Sequence, residues 1–176
     1  MSAPAHSPRL LRVAEALPLS SGVRVIEFGC GPGALARAIA ARIGDGHVLG
    51  VDRSAKAITL AEAACRKEIA AGRLSLRLCA VEAFALAPGE PAYDLAIAVR
   101  VGALDGRHPE VEAQALRRIA AALTPEGRLV VEQGGTLEEL PTPRCTVARN
   151  PSKPTVRPPV HESHKIYYGT RYLTFG

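Results

Sequence analysis

The sequence predicts an α/β fold, a doubly wound Rossmann-like parallel sheet with helices on both faces. Three observations carry that expectation. Five short apolar runs alternate with segments of helical spacing, the βαβ order that lays helices over a parallel sheet. The first run, Val23 to Phe28, empties into a turn holding Gly29, Gly31 and Gly33, the residue type a backbone needs for a sharp bend at positive φ. The second run, His47 to Asp52, ends on an acid about 20 residues beyond that turn. A carboxylate at the tip of the neighbouring parallel strand can accept hydrogen bonds from ribose hydroxyls.

Each element has its own local signal. Residues 7–17 place Leu10, Leu11, Ala14 and Leu17 at helical spacing and lead into the first strand. A helix is expected from about Pro32 to Ile43, with Pro32 suited to a first turn, Leu35, Ile39 and Ile43 on one face, and unpaired N–H groups directed at the glycine turn. Gly44-Asp45-Gly46 then turns the chain into the second strand. Ser54 is a suitable N-cap for the next helix, whose stripe of Ile58, Ala61, Cys65 and Ile69 runs unbroken to Gly72. The third strand is Leu74 to Cys79, followed by a short helical piece from Glu82 to Leu86. The fourth strand is Tyr93 to Val99. A helix opening at His108-Pro109-Glu110 buries Val111, Ala115, Ile119 and Leu123, and Pro125-Glu126-Gly127 turns into the fifth strand, Arg128 to Glu132. Right-handed crossovers put the first strand at the centre, its C-terminal end beside the switch point where such sheets bind ligands.

Composition narrows the class. At 176 residues one self-sufficient core is feasible. Lys and Arg outnumber Asp and Glu by 22 to 17, but residues 141–176 hold six of the bases and one of the acids. The first 140 residues are therefore balanced at 16 against 16, and the net charge of +5 is poor evidence for nucleic-acid binding by the domain. Cys30, Cys65, Cys79 and Cys145 form no C-x-x-C pair and read as reduced thiols. Arg9, Arg12 and Glu15 interrupt any signal-peptide core, and there is no 18-residue apolar run. The expectation is a cytoplasmic protein with no membrane partner and no metal.

The expected domain spans 1–140, and 141–176 reads as a Pro-rich basic tail. Six prolines between 141 and 160 disfavour a long helix, while Tyr167, Tyr168, Tyr172 and Phe175 suit an edge strand or a small hairpin. Cys145, His161 and His164 lack the further spaced ligands that a zinc site requires.

Two readings compete for the glycine turn. Gly29, Gly31 and Ala34 satisfy the dinucleotide pattern G-x-G-x-x-G/A, a weak signal alone. The fuller match is Glu27-Phe28-Gly29-Cys30-Gly31-Pro32-Gly33 followed by Val51-Asp52. With these residues the sequence resembles the class I S-adenosylmethionine-dependent methyltransferases, of the small-molecule type. The resemblance covers residues 8 to about 135 and extends to Tyr93-Asp94-Leu95 and to the segment 123–129, LTPEGRL. Size agrees, because 44 residues after the fifth strand leave little room for a dehydrogenase's substrate domain.

The resemblance implies S-adenosyl-L-methionine as cofactor and assigns roles by position. Glu27 would orient the turn and the methionine ammonium. Gly29, Gly31 and Gly33 would let the main chain pass under the ribose and methionine. Asp52 would accept from the ribose hydroxyls, with Arg53 beside the adenine. Ala80 departs from the family's usual Asp or Ser, leaving the Val81 N–H as the adenine contact and Glu82 as a weaker candidate. Val99 and Arg100 would face the methionine end and the acceptor.

The acceptor is read by exclusion. Amino-group methylases of DNA and of protein glutamine share an Asn/Asp-Pro-Pro-Tyr-like loop after the fourth strand, where this chain has Val99-Arg100-Val101-Gly102-Ala103-Leu104. Small molecules are the expected acceptors, reached by SN2 displacement. His108, a candidate base, also suits a structural place at a helix start, and Arg100 is either a carboxylate partner or a solvated rim residue. Cys30, at a helix N-terminus, has a place that can lower a thiol's pKa, although bound cofactor would cover it. Oligomeric state is left open. The rival readings are a non-catalytic cofactor-binding protein whose basic tail docks a partner or RNA, and an NAD-binding Rossmann protein.

Overall fold

The computed structural model describes residues 8–106 and 108–143, all within one unit of the chain, Met1–Cys145. Its sheet begins with β1 (Arg24–Phe28), whose last four residues are fully buried, as a central strand requires. On one side β1 pairs in parallel with β2 (His47–Asp52), which pairs in parallel with β3 (Leu74–Leu78). On the other side it pairs in parallel with β4 (Tyr93–Val99), which pairs in parallel with β5 (Leu123–Gln133). A sixth strand, β6 (Thr136–Leu140), runs antiparallel against β5 and gives the order β3-β2-β1-β4-β5-β6. Gly134 and Gly135, at φ 59° and 94°, make the two-residue turn of the β5–β6 hairpin, in which both central positions need positive φ.

Side-chain alternation sends successive residues of each strand to opposite faces and builds two cores. On one face Val25, Val48, Leu95, Ile97 and Val130 pack against Leu35 and Ile39 of α2 (Ala34–Ala40) and Val13 and Ala14 of α1 (Pro8–Ala16). On the other, Ile26, Phe28, Leu49, Ala96 and Leu129 pack against Ala115 and Ile119 of α5 (Pro109–Ala122) and against Phe84. Phe28 and Phe84 meet edge to face, centroids 5.3 Å apart. Helices therefore cover both faces.

Several expectations shift at their edges. The helix expected from Pro32 to Ile43 is the shorter α2. The helix capped by Ser54, which accepts from the Ala57 N–H at 3.3 Å, breaks at Cys65 into α3 (Ala55–Ala64) and α4 (Arg66–Ala70). The piece expected at Glu82 to Leu86 is a 3-10 turn, Val81–Ala83. Pro125-Glu126-Gly127 lies inside β5: Tyr93 pairs with Leu123 and Leu95 with Arg128, so four residues of β5 bulge against the single Asp94. A strand also follows β5 before residue 141, where regular structure is not expected from sequence. The tail readings, including those on Cys145, His161, His164 and the tyrosines, lie outside the described residues.

Candidate functional site

The bend that follows β1 packs as tightly as its composition suggests. Gly29, Gly31 and Gly33 have φ of 72°, 52° and 78°. A Cβ on Gly33 would stand 2.6 Å from the Cys65 Sγ and 3.2 Å from the Ala61 Cβ, so this glycine lets the bend press onto α3. A Cβ on Gly29 would stand 2.8 Å from Val101 Cγ2, because the loop after β4 leans over the bend.

Hydrogen bonding in the bend is saturated from within. The Gly29 and Cys30 N–H groups both donate to the Val51 carbonyl, at 2.8 and 3.0 Å, and the Gly33 N–H donates to the Cys30 carbonyl at 2.9 Å. The Gly31 N–H donates to Asp52 Oδ2 at 2.9 Å, and Pro32 has no N–H. Asp52 Oδ1 accepts from the Ser54 N–H at 2.8 Å. The carboxylate ending β2 is thereby fastened to the bend ending β1. It is half-buried, and each oxygen keeps a lone pair for a further donor.

Beneath the bend, Glu27 is 2% exposed. The Ala36 N–H bonds its carboxyl, but Oε2 has no partner. Burial, reinforced by the nearby Asp52 charge and opposed by the Ala36 bond, lifts its pKa to about 8, so near neutral pH this side chain holds a proton. Burial likewise pushes the Cys30 thiol well above its ordinary range, with the Glu27 and Asp52 charges adding to the effect. A reactive thiolate at this bend is thus disfavoured.

A crevice of ≈ 210 Å³ opens at the C-terminal ends of β1, β2, β3 and β4. It is smaller than the roughly 300 Å³ at which drug-sized ligand pockets begin, so the space as it stands takes part of an extended cofactor. Six of the residues singled out from sequence line it: Gly29, Asp52, Arg53, Val81, Glu82 and Arg100. Five do not. Glu27, Gly31 and Gly33 belong to the strand and bend that form its rear. Val99 packs into the core on the α1–α2 face, and His108 is exposed at the start of α5 with no side-chain cap bond.

Sequence reasoning missed Phe28, Cys79 and Val101 as lining residues. It also missed Glu132, 1% exposed on β5 and paired with Arg9 of α1, whose Oε1 has no partner. No local signal joins residues 123 positions apart. Among the described residues there is no metal-binding cluster, and no helix is long and apolar enough to cross a membrane.

Comparison with known proteins agrees with this geometry. The family described as "Methyltransferase domain" matches residues 19–168. No curated protein matches the sequence. Among solved structures, a TehB-like SAM-dependent methyltransferase from Corynebacterium glutamicum superposes with a TM-score of 0.53 at 22% identity, over 70% of this chain and 60% of its own. The CcbJ methyltransferase from Streptomyces caelestis gives 0.58 at 21%, over 73% and 52%. Phosphoethanolamine N-methyltransferase 1 from Haemonchus contortus, solved with phosphoethanolamine and S-adenosylhomocysteine, gives 0.59 at 15%, over 72% and 25%. At such identities the likeness is one of fold, and the chain spans less than two thirds of each of these neighbours. With the family match covering most of its length, the chain belongs to the methyltransferase-domain family, on a class I Rossmann-like fold.

Proposed function

We propose that this chain is an S-adenosylmethionine-dependent methyltransferase that acts on a small-molecule acceptor. The observation that carries the choice of cofactor is the saturated bend. A dinucleotide's pyrophosphate is held by free N–H groups at such a turn. Here every N–H from Gly29 to Gly33 already donates inside the protein. A donor without phosphates needs none of them.

The residues present fit that cofactor. Asp52 would receive the ribose hydroxyls on its remaining lone pairs, with Arg53 and the Val81 N–H beside the adenine. Glu27 would meet the methionine ammonium from beneath the bend. When bound, the cofactor supplies an electrophilic methyl on a sulfonium, with its own leaving group. The chain's task is then to align a nucleophile and exclude water, which effective molarity makes a large share of the rate. Phe28 and Val101 give the crevice apolar walls for that purpose. A neighbour named for phosphoethanolamine supports a small acceptor.

The test is thermal or chemical unfolding with S-adenosylhomocysteine and, separately, NAD. At about 100 times its dissociation constant a ligand adds about 2.7 kcal/mol. S-adenosylhomocysteine is expected to stabilise the protein and Asp52→Asn to lose most of the response. Stabilisation by NAD alone would overturn the proposal. Release of S-adenosylhomocysteine from the donor with pooled metabolites, above the acceptor-free rate, tests transfer itself.

A further inference from the structure

We propose that the acceptor carries an oxyanion, a carboxylate or a phosphate ester, and that the Arg100 guanidinium receives it; this rests on the methyltransferase reading above. Arg100 is the one non-glycine residue at positive φ among those described, at 55°. A side chain there is strained, and such strain persists where the surroundings impose it, commonly at functional sites. The imposed constraint is visible: the Arg100 N–H reaches the Glu132 carbonyl of β5 at 3.4 Å, while Val101 is packed over Gly29. Glycine or asparagine would take this backbone more easily, yet the chain puts a guanidinium here.

Register gives the height. Phe28 is level with Ala98, the last matched pair, and Arg100 follows two residues on, at the edge of the sheet where the bend begins. A nucleophile approaching a donor laid across that bend passes this point.

The guanidinium is also uncommitted. Arg9, Arg77 and Arg128 each hold a carboxylate, whereas the Arg100 side chain has no hydrogen-bond or ion-pair partner among the described residues. It is exposed at the crevice wall. The two acids lining the same crevice do not neutralise it. Asp52 is engaged by Gly31 and Ser54, and neither Asp52 nor Glu82 forms an ion pair with Arg100. Planar bidentate recognition of a carboxylate or phosphate is what a free guanidinium does best.

The experiment uses the full chain saturated with S-adenosylhomocysteine and three probes: benzoate, phenyl phosphate and neutral benzamide. The wild type is expected to bind one of the anions at least about tenfold tighter than benzamide, the better anion identifying the source as carboxylate or phosphate. Arg100→Gly, which relieves the backbone and therefore folds, should erase the preference, and Arg100→Lys should keep part of it. S-adenosylhomocysteine affinity should stay within about twofold throughout. No anion preference in the wild type, or a preference surviving in Arg100→Gly, overturns the proposal. So does a tenfold loss of S-adenosylhomocysteine affinity in Arg100→Gly with 5′-methylthioadenosine unaffected, since Arg100 would then hold the donor's own carboxylate. If the wild type does not bind S-adenosylhomocysteine at all, the methyltransferase reading fails first and takes this proposal with it.

Discussion

Replacing Glu27 by Gln separates the charge of this buried side chain from its shape. The folded carboxyl titrates near pH 8 against about 4.5 in the unfolded chain, so the native state holds the proton more tightly. Its stabilising contribution is complete below pH 4.5 and is lost as pH rises through 8. Each pH unit separating those two titrations is worth about 1.36 kcal/mol, which makes the whole effect about 5 kcal/mol, most of it falling between pH 5 and pH 8. Gln keeps the carbonyl oxygen that the Ala36 N–H uses and has no proton to lose. Urea unfolding of both proteins without ligand, at pH 5, 6, 7 and 8, should show the variant gaining on the wild type by about 1 kcal/mol per pH unit. Other groups titrate alike in both proteins and cancel in the difference. Parallel pH profiles would mean that Glu27 ionises freely where it sits, and the account of a desolvated carboxyl under the bend would be wrong.

Two further substitutions probe the packing behind the crevice. Gly33→Ala puts a Cβ against the Cys65 Sγ and Ala61 at φ 78°, and should cost about 2 kcal/mol in urea unfolding, part of it recovered in the double variant with Cys65→Ala. Arg9→Met leaves Glu132 buried with neither oxygen paired; since Arg9 is partly solvated, a loss of about 3 kcal/mol is expected, and Arg9→Met with Glu132→Leu should recover most of it.

The sequence made the centre of the sheet legible because burial on both faces leaves little choice of residue. β2 and β4 have the bounds read from their apolar runs, and Asp52 lies beside the bend as its spacing from the glycines implies. Legibility fell where a tertiary partner decides the outcome. Thr136 to Leu140, TLEEL, is an edge strand with Thr136, Glu138 and Glu139 exposed, and two acids in five residues hide it until the Gly134-Gly135 turn is recognised as a hairpin. The break at Cys65 is invisible to periodicity, since the apolar stripe continues across it. Asp52 also serves the ligand-free fold: it accepts from two backbone N–H groups, and removing the carboxylate strands both donors. Cys30 fails as a nucleophile for the same kind of reason: proximity to a helix start suggests a low pKa, and burial overrides it.

The partnerless Glu27 oxygen links the proton to the cofactor. An ammonium brought within reach of Oε2 favours the carboxylate, so under the proposed function donor binding expels the proton Glu27 holds in the free protein. With a free-protein pKa near 8, Glu27 is mostly protonated at pH 7 and the larger part of one proton should be released. Calorimetric titration with S-adenosylhomocysteine in buffers of differing ionisation enthalpy reads the number directly. Glu27→Gln accounts for any proton taken up by the ligand's own amine, and 5′-methylthioadenosine, which has the nucleoside without the amino acid, should release none. Equal proton release from wild type and Glu27→Gln would show that the ammonium does not reach Glu27, and the methionine end would then have to lie on the Val101 side of the bend.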